Sequence, residues 1–207
     1  MNHLILSGKN KTAARMAAGL ILWCCAFSLF AQTEGTSGTK VHRWAIYAGI
    51  GPNYYFNNLV AGQNKVNELN YTFSARLMWE PQYFLSLGFE TGYNRLYSLN
   101  GESSATGTVH IVNAAIPIQL IVSMKFFKYC YGTFSLGQAF LMNNVSTSKL
   151  GDYDASVLSL GDFSAAFGYR RPVNDRFLLG AEIKAYYSGK LDDKNIALVF
   201  VGGYRLW

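Results

Sequence analysis

From Leu69 to Glu80 the sequence alternates without a break. Leu69, Tyr71, Phe73, Ala75, Leu77 and Trp79 are apolar, and Asn70, Thr72, Ser74, Arg76, Met78 and Glu80 stand between them. Successive side chains of a strand point to opposite faces, so this run predicts a strand with one apolar and one mainly polar face. Its 12 residues exceed the usual soluble strand of about 5–6 and suit a tilted membrane strand of about 9–11.

The same texture recurs along the chain. Trp44–Tyr54 reads as a first strand, and Tyr83–Asn94 as a third with Leu85, Leu87, Phe89, Thr91 and Tyr93 on one face. Val109–Lys125 predicts a fourth strand, with Val112, Ala114, Ile116, Ile118, Leu120, Val122 and Met124 outward. Pro117 within it removes one ladder hydrogen bond and reads as a local bend. Tyr129–Met142, Val157–Arg170, Arg176–Tyr187 and Ile196–Leu206 complete eight.

Connections alternate in length. Pro81-Gln82, Phe126–Lys128 and Arg171–Asp175 are short, whereas Asn57–Glu68, Ser98–Gly107, Asn143–Ser156 and Ser188–Asn195 are longer and polar. Aromatic residues gather at both ends: Trp79, Tyr83, Phe126, Phe127, Tyr129, Tyr169, Phe177 and Tyr204 toward the short turns, and Tyr54, Tyr55, Phe56, Tyr71, Tyr97, Tyr153, Tyr186 and Tyr187 toward the long loops. An even strand count, short turns on one side and two aromatic girdles describe an all-β fold, an eight-stranded antiparallel up-and-down transmembrane β-barrel. The alternative is a soluble lipocalin-like barrel or sandwich with its apolar faces turned inward. Strand length, the paired girdles and an aromatic C-terminal strand weigh against it.

The N-terminus differs in composition. Lys9, Lys11 and Arg15 precede an apolar run, Met16–Phe30, that ends at Ala31 before polar Gln32-Thr33-Glu34. Residues 1–31 therefore read as a cleaved secretory signal peptide, 32–42 as a short periplasmic segment and 43–207 as the barrel. The run is short for a retained anchor helix, and Trp23 or Cys24 stands where lipidation at Cys24 or Cys25 needs a small residue. Without the leader, 15 basic residues face 12 acidic ones, a balance near +3 that argues for no nucleic-acid partner. Cys130 is then the one cysteine left, so no internal disulfide framework is expected.

Several segments resemble the small barrels of the Bacteroidota outer membrane, the OmpA-like and PorT-like group. These are Leu29-Phe30-Ala31-Gln32 at the leader boundary, Trp44–Asn53, Ala115-Ile116-Pro117-Ile118-Gln119-Leu120, and the closing Gly202-Gly203-Tyr204-Arg205-Leu206-Trp207. The resemblance implies residence in the cell outer membrane and contact with the lipid bilayer and lipopolysaccharide. It also implies recognition by the outer-membrane assembly machinery during insertion and association with other outer-membrane proteins, with protein secretion as an analogy.

The inward-facing set is expected to include Arg76, Glu80, Glu90, Asn94, Asn113, Gln119, Lys125, Asp162, Arg170, Glu182, Lys184 and Arg205. Both charge signs are present, and buried charges need partners, so the lumen reads as a packed network. No residue is assigned to catalysis, to a cofactor or to a metal. Past the leader only His42 and His110 could act as a base; His110 lies near Glu102, Ser103 and Ser104, but Ile111-Val112 follow it rather than a nucleophile. Asp152, Asp154, Asp192 and Asp193 could hold calcium, or could simply be solvated loop residues. No phosphate-binding glycine motif is present, and the glycosylation-like triplet at Asn144 carries no weight in a bacterium. The expected function is a non-enzymatic structural or accessory subunit of an outer-membrane assembly. The alternatives are a narrow channel for small solutes or ions and, behind it, a lipid-A-modifying enzyme.

Overall fold

The computed structural model describes residues 43–56, 66–81, 85–103, 107–149 and 151–206. The expected signal peptide, the segment 32–42 with His42, Ser104 and Trp207 lie outside the described residues. The described residues form nine strands: β1 (Arg43–Tyr55), β2 (Val66–Asn67), β3 (Leu69–Glu80), β4 (Leu85–Ser103), β5 (Gly107–Lys125), β6 (Cys130–Thr147), β7 (Gly151–Pro172), β8 (Phe177–Ser188) and β9 (Asp193–Arg205). Among them there is no helix.

Eight long strands make a closed antiparallel ring. The order β4-β3-β1-β9-β8-β7-β6-β5 returns on itself through β4–β5, and two-residue β2 pairs on the side of β4. The seam between first and last strands runs from Ala45↔Arg205 to Tyr55↔Asn195. Closure leaves the ring no free edge, the condition a sheet must meet where no water can satisfy backbone N–H and C=O groups.

The apolar phase faces out. Ile50 is 61% exposed, Phe89 62%, Leu120 62%, Ile183 61% and Phe200 58%, while their neighbours in the other phase are buried. A soluble barrel would show the reverse. These side chains form the lipid-facing belt, and stacked or edge-on pairs such as Tyr71–Tyr93, Tyr129–Tyr169 and Phe177–Tyr204 lie near its two borders.

Two features differ from the sequence expectation, and a third agrees with it and adds detail. First, two of the four expected long loops are largely strand. β4 and β5 stay paired to Ser103↔Gly107, and β6 and β7 to Thr147↔Gly151, so the described residues of segments 98–107 and 143–156 are mostly paired strand. Among the described residues the asymmetry of the barrel includes the greater length of β4–β7. Second, Ala114 is outward in phase but buried. Third, Pro117 keeps its pairing to Ala139 of β6, while pairing to β4 lapses between Thr91↔Ile118 and Asn94↔Ala115. The lost donor thus faces β4. Nearby, β4 carries a bulge between Arg95 and Tyr97, and Gly161, at φ 80°, is the extra residue of a bulge in β7 opposite Gly137-Gln138.

Candidate functional site

The barrel interior gathers nearly all of the chain's buried charge, and its centre is a closed ion cage. Arg76 of β3 meets Glu182 of β8 with two guanidinium nitrogens, Nη1 at 2.8 Å and Nη2 on the second oxygen. Its Nε donates to Glu90 of β4 at 3.1 Å, and Lys184 of β8 donates to the other oxygen of Glu90. Tyr131 of β6 adds its hydroxyl to Glu182 at 2.8 Å. Two cations thus balance two carboxylates, all nearly inaccessible to solvent. The planar fork of arginine suits this bidentate role, and leaving any member unpaired in so dry a place would be costly.

Toward the short turns a second pair closes the lumen. Glu80 accepts from Arg170 at 3.1 Å and from the Tyr47 hydroxyl at 2.6 Å. The Arg170 guanidinium lies 4.1 Å from the Tyr47 ring centre and 4.6 Å from that of Tyr131, held between two π faces. Tyr47 belongs to a buried apolar cluster with Ala45, Met78, Ile121, Leu178, Ala197, Val199 and Val201, so the lumen is apolar along the β1–β9 side. Gly203 makes room for it: a Cβ there would lie 2.3 Å from the Tyr47 ring.

Above the cage, Asp162 is buried without a cation. The Ser159 hydroxyl (2.5 Å), the Tyr186 hydroxyl (2.6 Å) and the Gly189 N–H (2.9 Å) donate to it. Gln119, Ser135 and Ser164 form a linked hydroxyl–amide set beside it. Three donors replace a counter-ion, which is how a buried carboxylate stays tolerable. Higher still, Tyr55 donates to Asp193 at 2.5 Å. The inward amides of Asn53, Asn94, Asn113 and Asn195 each leave one buried polar atom without a protein partner.

Of the twelve residues expected inward, nine are buried: Arg76, Glu80, Glu90, Asn94, Asn113, Gln119, Asp162, Glu182 and Lys184. Arg170 and Arg205 are half-buried and Lys125 is exposed, because all three stand at the short-turn rim. The tyrosines of the lumen were not anticipated. Tyr55 and Tyr186, assigned by sequence to a girdle, are buried and inward, where they hold carboxylates. Their phase was the available signal, since Tyr186 shares its face with Glu182 and Lys184.

The other candidates separate. His110 is exposed and pairs through its ring with Asn100; the register sets it beside Ser146, but Ser146 donates to Asp152 instead of to the imidazole. The row Asn100, His110, Ser146, Asp152 crosses β4–β7 as a polar ladder with no nucleophile–base contact. Asp193, expected among solvated loop residues, is buried, while Asp192 is exposed beside it. No group of three or more metal-capable side chains occurs among the described residues.

No family model matches the sequence, and no curated protein matches it. Among solved structures the chain is similar to Ail, the attachment invasion locus protein of Yersinia pestis, in its complex with the heparin analogue sucrose octasulfate. The TM-score is 0.52 at 14% identity, over 80% of this chain and 99% of Ail. Neisserial surface protein A also aligns, at TM-score 0.43 and 14% identity, over 78% of this chain and 96% of that one. At such identity the likeness is one of fold: this chain is an eight-stranded barrel of the outer-membrane type.

Proposed function

We propose that this chain is a non-enzymatic barrel of a Gram-negative outer membrane, exported through its N-terminal leader, that serves as an accessory or anchoring subunit of a larger assembly. The sealed lumen is the observation that carries this reading. The Arg76–Glu90–Glu182–Lys184 cage and the Glu80–Arg170 pair draw side chains from β3, β4, β7 and β8 across the interior, with Tyr47 and Tyr131 filling between them. Side chains fill an eight-stranded interior readily, and a solute would have to break several buried ion pairs to pass. A subunit of this kind needs a rigid body and a surface clear of lipid, and the upper parts of β4–β7 offer that surface.

The resemblance to the Bacteroidota and PorT-like barrels supports secretion as the process served, by analogy of fold alone. Lipopolysaccharide is expected against the belt on the hairpin side. Two measurements test the proposal. In planar bilayers the folded protein should be electrically silent; discrete conductance steps would overturn the sealed lumen and favour a channel. After mild detergent extraction the tagged protein should migrate as a discrete complex larger than a barrel in its micelle. A lone barrel would overturn the subunit role.

A further inference from the structure

The two rims of the barrel differ in charge. Among the described residues, seven Lys and Arg around the short turns face Glu80 and Asp175 alone, whereas the described groups of the hairpin side are more acidic than basic. Within the basic rim lies a cavity of about 250 Å³, whose walls include Lys125, Lys128, Arg170 and Arg205, with Leu178 and Phe127 as apolar neighbours. Among the described residues no carboxylate lines it.

The cations there are short of partners. Glu80 is engaged by Arg170 and Tyr47, and among the described residues no acidic group pairs with Lys125, Lys128 or Arg205. The Arg205 Nε is buried with no hydrogen-bond partner. The Arg170 side chain is 8% exposed and clamped between two tyrosine rings, so its donors are set in place before any ligand arrives. Four cations gathered around a cavity whose nearby carboxylate, Glu80, is already held by Arg170 repel one another, and a bound anion relieves that repulsion while gaining charge-assisted hydrogen bonds.

We propose that this vestibule binds a phosphoryl-bearing anion. Arg170 and Arg205 supply planar forks that match tetrahedral oxygens, and Lys125 and Lys128 supply mobile charge at the mouth. The phosphoryl group could arrive as a free phosphate or as the headgroup of an anionic phospholipid; Phe127, 75% exposed beside the cavity, suits the latter.

Calorimetric titration of the whole protein in zwitterionic micelles tests this, with inorganic phosphate and with dihexanoyl phosphatidic acid as probes. Saturable binding of at least one probe is expected, weakening as salt rises. Lys125→Gln/Lys128→Gln should weaken it about tenfold or more. Lys190→Gln/Lys194→Gln, at the opposite end, should leave it unchanged. Lys125 ends a strand and Lys128 lies in a turn, and unboiled gel migration verifies that each variant is folded. Similar affinity for both probes supports the site with the phosphoryl group sufficient in any carrier. Binding of the lipid alone, with a dihexanoyl phosphatidylcholine control inert, supports it with a headgroup as ligand. No binding of either probe, or an equal loss in both variant pairs, overturns it.

Discussion

Strands β4–β7 pass through two environments along their length, and the contrast shows what stabilises each part. In the lower part, one face meets lipid through Phe89, Leu120, Phe134 and Phe167, and the other meets a packed interior at Glu90, Gln119, Tyr131 and Ser164. Among the described residues of the upper part, no long strand continues the ring on either side. β8 leaves β7 after Phe163↔Tyr187, β3 leaves β4 after Thr72↔Asn94, and only β2 covers two residues of β4. Every residue from Gly151 to Leu158 is exposed. The backbone pairing is the same in both parts, so pairing is not the difference. Closure and filled faces make the lower part stable, while the upper part rests on cross-strand pairs worth about 0.2–1 kcal/mol each. Asp152 and Asp154 on the outer strand are placed to discourage further strand addition at its open edge.

The largest expected effect is in the lower part. Glu182→Ala leaves Arg76 buried with one pair fewer and should lower the unfolding free energy by about 3–5 kcal/mol in denaturant titrations from lipid vesicles. Adding Arg76→Met should restore much of that loss. A loss under about 1 kcal/mol for the single variant would mean that water already reaches the cage.

Next in size is a charge on the outer face. Leu120→Arg should cost about 2–4 kcal/mol in lipid, the range for arginine at the midplane of a barrel. A soluble barrel would register almost nothing at so exposed a site, so a neutral result would refute the lipid-facing belt.

Gly161 marks the boundary between the two parts. Its φ of 80° suits glycine, and a Cβ there would meet nothing within 4 Å. Gly161→Ala should therefore cost only the left-handed backbone term, about 1–2 kcal/mol, with unchanged heat-modifiable migration. A much larger loss would show that the bulge couples the projecting sheet to the barrel.

The smallest effects belong to the upper part. Tyr153→Ser and His110→Ala should each stay within about 0.5 kcal/mol, as surface substitutions away from packing do. If either destabilises as strongly as Glu182→Ala, the contrast between the two parts fails.

The legibility of the fold follows the same line. β3 is read to the residue, because its lipid face and its lumen face differ in polarity at every step but Met78. The sequence predicts loops at the tops of β4, β6 and β7, although it predicts β5 as strand from Val109 onward. Both faces there are free of lipid and of the packed lumen, so selection imposes no alternation and the period of two disappears. In the lumen, parity alone places Arg76, Glu90, Glu182 and Lys184 inward. It cannot say that Arg76 reaches across to β8, 106 residues away in sequence, because that depends on how far around the ring β3 and β8 stand.

What the amino-acid sequence determined by itself is therefore local and two-sided: long alternating strands, their inward charges and the need for closure, each following from side-chain parity and from the absence of water in lipid. What only the tertiary structure decided is relational. It set which cation meets which carboxylate, that Tyr55 and Tyr186 turn inward to hold Asp193 and Asp162, and that Gly203 yields its space to the Tyr47 ring. It also brought Lys125, Lys128, Arg170 and Arg205 around one cavity. The physical reason is that parity repeats along a chain within two residues, whereas partners across a lumen are fixed by the register and curvature of the whole ring.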